Sequence, residues 1–144
     1  MTTLVAYDPG ETTGYSWWGY DVDVPLYILS AGQINGGLEG FLKHAPLEAD
    51  IVVCESFILD GRTPNPNLTP LKIEGALEAL KERTGYELHF QRNNFKKHVS
   101  DQLLKRYDLW MPSYPHAMDS MRHALAYMKT SMHMPTLKQY FVLD

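Results

Sequence analysis

The chain has 144 residues, 44% hydrophobic and 21% charged, the proportions of one ordinary globular domain able to bury a core without staples. Its single cysteine, Cys54, excludes a disulfide framework and a thiolate metal site. A net charge of −4 offers no general attraction for nucleic acid, and no run of about 18 apolar residues is present to span a bilayer.

Residues 3–8 read as a buried strand that delivers Asp8 to its end, where Pro9-Gly10 turns the chain. Residues 14–21 and 26–34, rich in aromatic and β-branched side chains, are its antiparallel continuations. The period then changes: Leu38, Phe41, Leu42 and Ala45 fall at helical spacing between Gly37 and Ala49, with Pro46 expected to end or kink that helix. Asp50-Ile51-Val52-Val53-Cys54-Glu55 is a continuous apolar run suited to a central strand, and it also ends in a carboxylate. Residues 58–68 form a loop. Thr69-Pro70 is an expected N-cap and first helical residue, with Ile73, Ala76, Leu77 and Leu80 as the apolar stripe and Gly85 as the C-cap. Gly75, in mid-helix, suggests close packing against another backbone.

Residues 86–91 read as a short strand and 94–106 as one helix with Val99, Leu103 and Leu104 inward. The last clear helix runs from about Pro115 to about Lys129, and the tail reads as a packed extension or a frayed end. Strands joined by tight turns pair antiparallel, and strands joined through helices pair parallel. The expected fold is therefore α/β: a five-stranded mixed sheet, three antiparallel strands and then two parallel ones, with helices packed on it, in a single domain over 1–144. The N-terminus lacks the basic-then-apolar layout of a signal peptide, so a soluble protein of a reducing cytoplasm is expected.

Chemistry concentrates in three places. Asp8 and Glu55 each close a strand, and His116 and Asp119 share a face at the start of the last helix, with Ser120 and His123 alongside. Met118, Met121, Leu125 and Met128 lie on the opposite face and are expected to pack inward. Three carboxylates gathered together repel one another unless cations neutralise them, and hard oxygen donors of this kind suit Mg²⁺ or Mn²⁺. Two such ions roughly 4 Å apart can activate a water and stabilise the leaving oxygen of a phosphodiester. His123 is read as a surface or hydrogen-bonded structural histidine, and Cys54 as an inert buried thiol on the opposite sheet face from Glu55.

The pattern Asp8-Pro9-Gly10-x-x-x-Gly14, then a strand ending in Glu55, then His116-x-x-Asp119 in a helix resembles the RuvC-like Holliday junction resolvases of the RNase H-like superfamily. The resemblance spans most of the chain and, given its size, suggests a compact member of the kind carried by bacteriophages, acting in the host cytoplasm. It implies Asp8, Glu55 and Asp119 as the metal-binding acids, His116 as the fourth catalytic and metal-site residue, and two Mg²⁺ ions per site with Mn²⁺ able to substitute. It also implies a homodimer that resolves four-way junctions by paired nicks, with the helix around Ile73–Leu80 pairing the subunits. Arg92, Lys96 and Lys97 resemble the segment that approaches the DNA backbone, and Arg62 is grouped with them. Phe57 resembles an aromatic that meets the junction, although it stands two residues after the glutamate rather than three. Ser120 departs from the usual small apolar residue after the helix aspartate.

The same site would also serve a nuclease of flaps, forks, single strands or RNA–DNA hybrids, and the same fold a non-catalytic DNA-binding module. Asp8-x-Gly10-x-Thr12 also resembles the first phosphate loop of sugar-kinase and actin-like ATPases, which need two such domains. The remaining histidines, 44, 89, 98 and 133, form no ligand pair by spacing.

Overall fold

A computed structural model describes residues 1–44, 48–59 and 61–141. Strands β1 (Thr2–Asp8), β2 (Thr12–Tyr20) and β3 (Tyr27–Asn35) form an antiparallel meander. Helix α1 (Gly37–His44) leads to β4 (Ile51–Glu55), which lies parallel to β1; helix α2 (Thr69–Thr84) leads to β5 (Glu87–Gln91), parallel to β4. The sheet order is β3-β2-β1-β4-β5. The expected five-stranded mixed sheet is the observed one.

Two cores flank the sheet, and the period-2 alternation of the strands decides which side chain enters which. Leu4 and Ala6 of β1 and Ile51 and Val53 of β4 face helix α4 (Pro115–Thr130), whose Met118, Met121, Leu125 and Met128 are all buried there. Val5, Tyr7, Val52 and Cys54 face the other way, against Phe41 of α1 and Ile73 and Leu77 of α2. Each fully buried aliphatic of this size contributes roughly 1.5–3 kcal/mol. Continuing the same alternation, Asp8 and Glu55 fall on the α4 side. Tyr7 pairs with Cys54 across the parallel ladder, so the two acids follow at adjacent strand ends.

Three details differ from the sequence expectations. Residues 94–106 are not one helix: a 3₁₀ turn over Asn93–His98 gives way to extended Val99, and α3 (Asp101–Arg106) starts afresh. Ser100 is the reason, since its Oγ accepts from the Leu103 amide at 3.1 Å and caps a new helix. Val99, Leu103 and Leu104 are nonetheless buried as expected. Thr69 is the first helical residue of α2 rather than its cap, and its amide donates to Asn67 Oδ1 at 3.0 Å. Gly85 does close that helix, in the left-handed conformation at φ 80°. Finally, a Cβ on Gly75 would meet nothing within 4 Å among the described residues, so the expected close packing against another backbone is not found there.

Helix α1 ends at His44; Ala45 and Pro46 of its expected continuation lie outside the described residues. The tail is packed as far as Phe141. The Tyr140 hydroxyl donates to the Leu26 carbonyl at 2.6 Å, and the Leu26 amide donates to Thr136 Oγ1 at 3.0 Å. Val142 and Leu143 lie outside the described residues. No helix among the described residues is long and apolar enough to cross a membrane.

Candidate active site

The first turn of α4 is pinned over the ends of β1 and β2 by three contacts. Gly14 pairs with Asp8 in the ladder, and a Cβ there would stand 1.9 Å from the His116 carbonyl oxygen. Only glycine lets the helix backbone come so close. No side chain of α4's own N-cap residue, Tyr114, satisfies the helix start. Gln33 of β3 does so instead, its Oε1 accepting from the His116 amide at 2.9 Å. Ser120, fully buried, donates its hydroxyl hydrogen within a pair of contacts to Ser16 Oγ (3.0 Å) and the Ala117 carbonyl (2.6 Å). The departure at Ser120 is therefore a polar pin between helix and sheet.

This docking brings Asp8, Glu55, His116 and Asp119 to one edge of the sheet, together with three partners, His123, Lys96 and Arg122, not assigned to the metal site from sequence. His116 Nδ1 lies 3.0 Å from Asp8 Oδ2. Glu55 Oε1 lies 3.0 Å from His123 Nε2 and 3.1 Å from Lys96 Nζ. Asp119 lies 3.4 Å from Lys96 Nζ through Oδ2, and 3.5 Å from Arg122 Nε through Oδ1. Arg122 is itself fixed, donating to the Val99 carbonyl at 2.8 Å and to Asp101 at 2.7 Å. Each acid thus has one dedicated partner on α4: His116 for Asp8, His123 for Glu55, Arg122 for Asp119.

Lys96 was expected at the DNA backbone; its ammonium bridges Glu55 and Asp119, in the place of a cation. Burial works against its charge, but the facing carboxylates Glu55, Asp119 and Asp8 outweigh it and hold its pKa above that of an ordinary lysine. The two strand-end acids are hydrogen-bonded to each other and split in opposite directions. Burial, the Glu55 hydrogen bond and the neighbouring negative charges push Asp8 from 3.8 up to about 8. Burial of Glu55 acts upward too, but the His123 and Asp8 hydrogen bonds and the Lys96 charge overcome it and bring Glu55 down to about 2. Opposite shifts in a carboxylate pair are what one shared proton produces.

His123 is not a surface residue. It is fully buried, and its imidazole reaches the site from one turn beyond Asp119. The signal for it was its spacing on the His116–Asp119 face. Gln91, also buried, stands beside Glu55 in the ladder and contacts His123 at 2.7 Å. Cys54 is a buried free thiol in the opposite core, as expected.

Among the described residues, no three His, Cys, Asp or Glu side chains are gathered closely enough to hold an ion as they stand. The donor chemistry nevertheless fits a hard divalent cation: carboxylate oxygens on three elements, an imidazole beside one of them, and an ammonium serving as the positive charge among them. Two hollows flank the acids. One, of about 270 Å³, is lined by Pro9, Glu55, Phe57, Ile58, Pro70 and Asn93. The other, an open cleft of about 530 Å³, is lined by Asn93, Asn94, Lys96, Lys97, Asp119 and Arg122. Phe57 is half-buried on the first hollow, its amide donating to Glu74 at 3.3 Å; Lys97 is exposed on the second; Arg92 is exposed after β5, and Arg62 is exposed in the loop before α2.

The sequence matches no protein-family model and no curated protein. Its structure is similar to two structures of RuvC from Thermus thermophilus. One is in complex with a Holliday junction substrate (TM-score 0.68, 11% identity, covering 93% of this chain and 98% of that one). The second superposes with TM-score 0.66 and 12% identity over 91% of this chain and 96% of that one. At such identities the likeness is one of fold, and it extends over nearly the whole length of both chains: this protein has the RuvC-like, RNase H-like α/β fold.

Proposed function

We propose that the protein is a metal-dependent endonuclease that cuts branched DNA, with four-way junctions as its preferred substrate. The observation that carries this reading is the convergence of Asp8, Glu55 and Asp119, from β1, β4 and α4, at one sheet edge beside His116. Supporting it, T. thermophilus RuvC, whose fold the chain shares, is described in complex with a Holliday junction substrate. Two Mg²⁺ ions, or Mn²⁺ in their place, would supply an activated water and stabilise the leaving oxygen. Asp8, Glu55, Asp119 and His116 would hold them, with Asp8 giving up its proton on loading.

The remaining chemistry belongs to positioning. Lys97 and Lys96 in the open cleft, with exposed Arg92 and Arg62, take the phosphate backbone, a contact weakened by salt. Phe57, on the smaller hollow, offers an aromatic face to bases at the branch point. The outer face of α2, where Leu71 is exposed and Gly75 meets nothing, pairs two subunits so that two sites nick opposing strands. The site of action is the cytoplasm.

The test is cleavage of a synthetic four-way junction beside matched duplex, flap and single-stranded substrates, in Mg²⁺, Mn²⁺ or EDTA. Symmetric junction nicks lost with EDTA are expected. Asp8→Asn and Glu55→Gln should abolish them while junction binding survives. Preferred cutting of flaps or single strands would keep the site and replace the substrate. Folded protein that cuts nothing in either metal would overturn the reading in favour of a DNA-binding module.

A further inference from the structure

We infer that His123 is a positioning residue for Glu55, and that Gln91 sets it to work by fixing which of its nitrogens carries the hydrogen. The side chains form a row beneath α4: Glu55 and Gln91 are ladder partners at the ends of β4 and β5, and the His123 ring bridges them. Neither His123 nor Gln91 is free to turn away, because His123 is fully buried and Gln91 is 4% exposed.

The backbone of α4 decides the orientation of the Gln91 amide. Inside α4 the Tyr127 N–H and the His123 carbonyl are already i, i−4 partners. The N–H nevertheless lies 3.3 Å from the Gln91 amide, and the carbonyl, with a second lone pair, 3.2 Å from it. Only one orientation of the amide avoids setting donor against donor and acceptor against acceptor. The amide oxygen therefore faces Tyr127 and the amide nitrogen faces His123. That nitrogen also stands 2.7 Å from His123 Nδ1 and donates its second hydrogen to it. A ring nitrogen that accepts carries no hydrogen, so the hydrogen is on Nε2. Nε2–H then donates to Glu55 Oε1 at 3.0 Å.

A neutral donor does something here that a cation cannot. Lys96 holds the same Glu55 oxygen at 3.1 Å, but it also cancels the negative charge. Neutral His123 aims the carboxylate and leaves its charge intact for a metal ion. When Lys96 turns to an incoming phosphate, His123 is the contact that remains. Partners of this kind around a metal-binding carboxylate typically change metal affinity or activity by about 10–100-fold. The significance for catalysis rests on the role proposed above for Glu55; the hydrogen-bond row does not.

Two measurements separate these. Long-range ¹H–¹⁵N NMR on metal-free protein labelled at histidine reads the tautomer directly. His123 should show a protonated Nε2 and a bare Nδ1. The opposite tautomer, or hydrogen on both nitrogens, would overturn the inference. Gln91→Glu, which as a carboxylate presents only acceptors to Nδ1, should place a hydrogen on that nitrogen too, since Nε2 still faces Glu55; a bare Nδ1 in that variant would also overturn it.

The second measurement is Mn²⁺ binding by electron paramagnetic resonance, paired with single-turnover junction cleavage. His123→Phe should weaken Mn²⁺ binding and slow cleavage by about 10–100-fold while junction affinity stays the same. His123→Gln, whose amide can still donate to Glu55, should recover most of both losses. If His123→Phe fails to fold, Gln91→Leu takes its place, since it removes the tautomer lock without emptying the ring's space. Equal losses in His123→Phe and His123→Gln would reduce His123 to a packing residue. The expected tautomer in a protein that cuts no DNA would leave the row standing and refute the nuclease reading alone.

Discussion

The two faces of the sheet are held by different means. On one, α1 and α2 rest on Val5, Tyr7, Val52 and Cys54 through Phe41, Ile73 and Leu77, a contact made almost entirely of apolar surface. On the other, α4 has an equally apolar inner stripe but adds Gly14 beneath its backbone, Gln33 at its N-terminus, the Ser16–Ser120 pair and the Gln91–His123 pair. Apolar packing sets how strongly a helix adheres and tolerates small slides, whereas directional contacts set where along the strand it stops. The helix that carries Asp119 and the partners of all three acids is the one with its position fixed by hydrogen bonds and steric contact. The helices facing away are held chiefly by apolar contact, with the Tyr86 hydroxyl donating to the Leu77 carbonyl and Thr69 Oγ1 to Glu11 at the edge of that face.

Two glycines sharpen that contrast from its largest effect to its smallest. Gly14→Val places side-chain carbon in the His116 carbonyl and must lift α4; it should cost roughly 3 kcal/mol or more in urea unfolding. A variant that unfolds like the parent would show that α4 does not dock so closely.

Next in size is the acid pair. Asp8→Asn should lower cleavage by at least about 10³-fold, yet stabilise the metal-free protein above pH 8. Asp8 has its affinity for a proton raised in the fold, from 3.8 to about 8. Its contribution is therefore present at low pH and is lost as pH climbs through that window. Glu55, brought down to about 2, acts in the opposite sense: its contribution is present above the ordinary carboxylate range and is lost as pH falls toward 2. Thermal melts of metal-free protein should accordingly decline between about pH 5 and 8 and level off above that, and Asp8→Asn should flatten the decline. A parent curve flat across this range would contradict the shared proton.

Ser120→Ala leaves Ser16 Oγ without its partner inside the α4 interface, at a cost of about 1 kcal/mol. Smallest, and opposite in sign, is Gly75→Ala on the exposed face of α2. Helix propensity alone should make it stabilising by up to about 1 kcal/mol. A shift in gel-filtration volume in the same variant would mark that face as the contact between subunits.

Much of this was readable in one dimension. Asp8, Glu55 and Asp119 each sit at the end or beginning of an element whose period is plain, and alternation along β1 and β4 already assigns both strand acids to one face. What hid was whatever depends on how α4 crosses the sheet. His123 and Gln91 are 32 residues apart, His116 and Asp8 are 108 apart, and no local pattern announces either contact. Lys96 reads as a phosphate-facing cation because it stands in the basic run Lys96-Lys97-His98 with Arg92 just before it. The 3₁₀ turn, which breaks the helix expected over 94–106, swings its side chain inward. Gly75 misled because a costly glycine implies a reason, and among the described residues no neighbour supplies one.

The bridging ammonium of Lys96 also bears on how the protein comes into being. Acidic centres that await a metal are ordinarily frustrated, since their carboxylates repel until the ion arrives and the chain cannot settle without it. Here the sequence carries its own placeholder, a tethered monovalent charge between Glu55 and Asp119. A newly synthesised chain can therefore finish folding with these carboxylates already partly neutralised, before any ion that the proposed function requires is bound. On the proposed metal-dependent reading the tether keeps that placeholder at hand, so a chelator should leave the protein folded rather than unfold it.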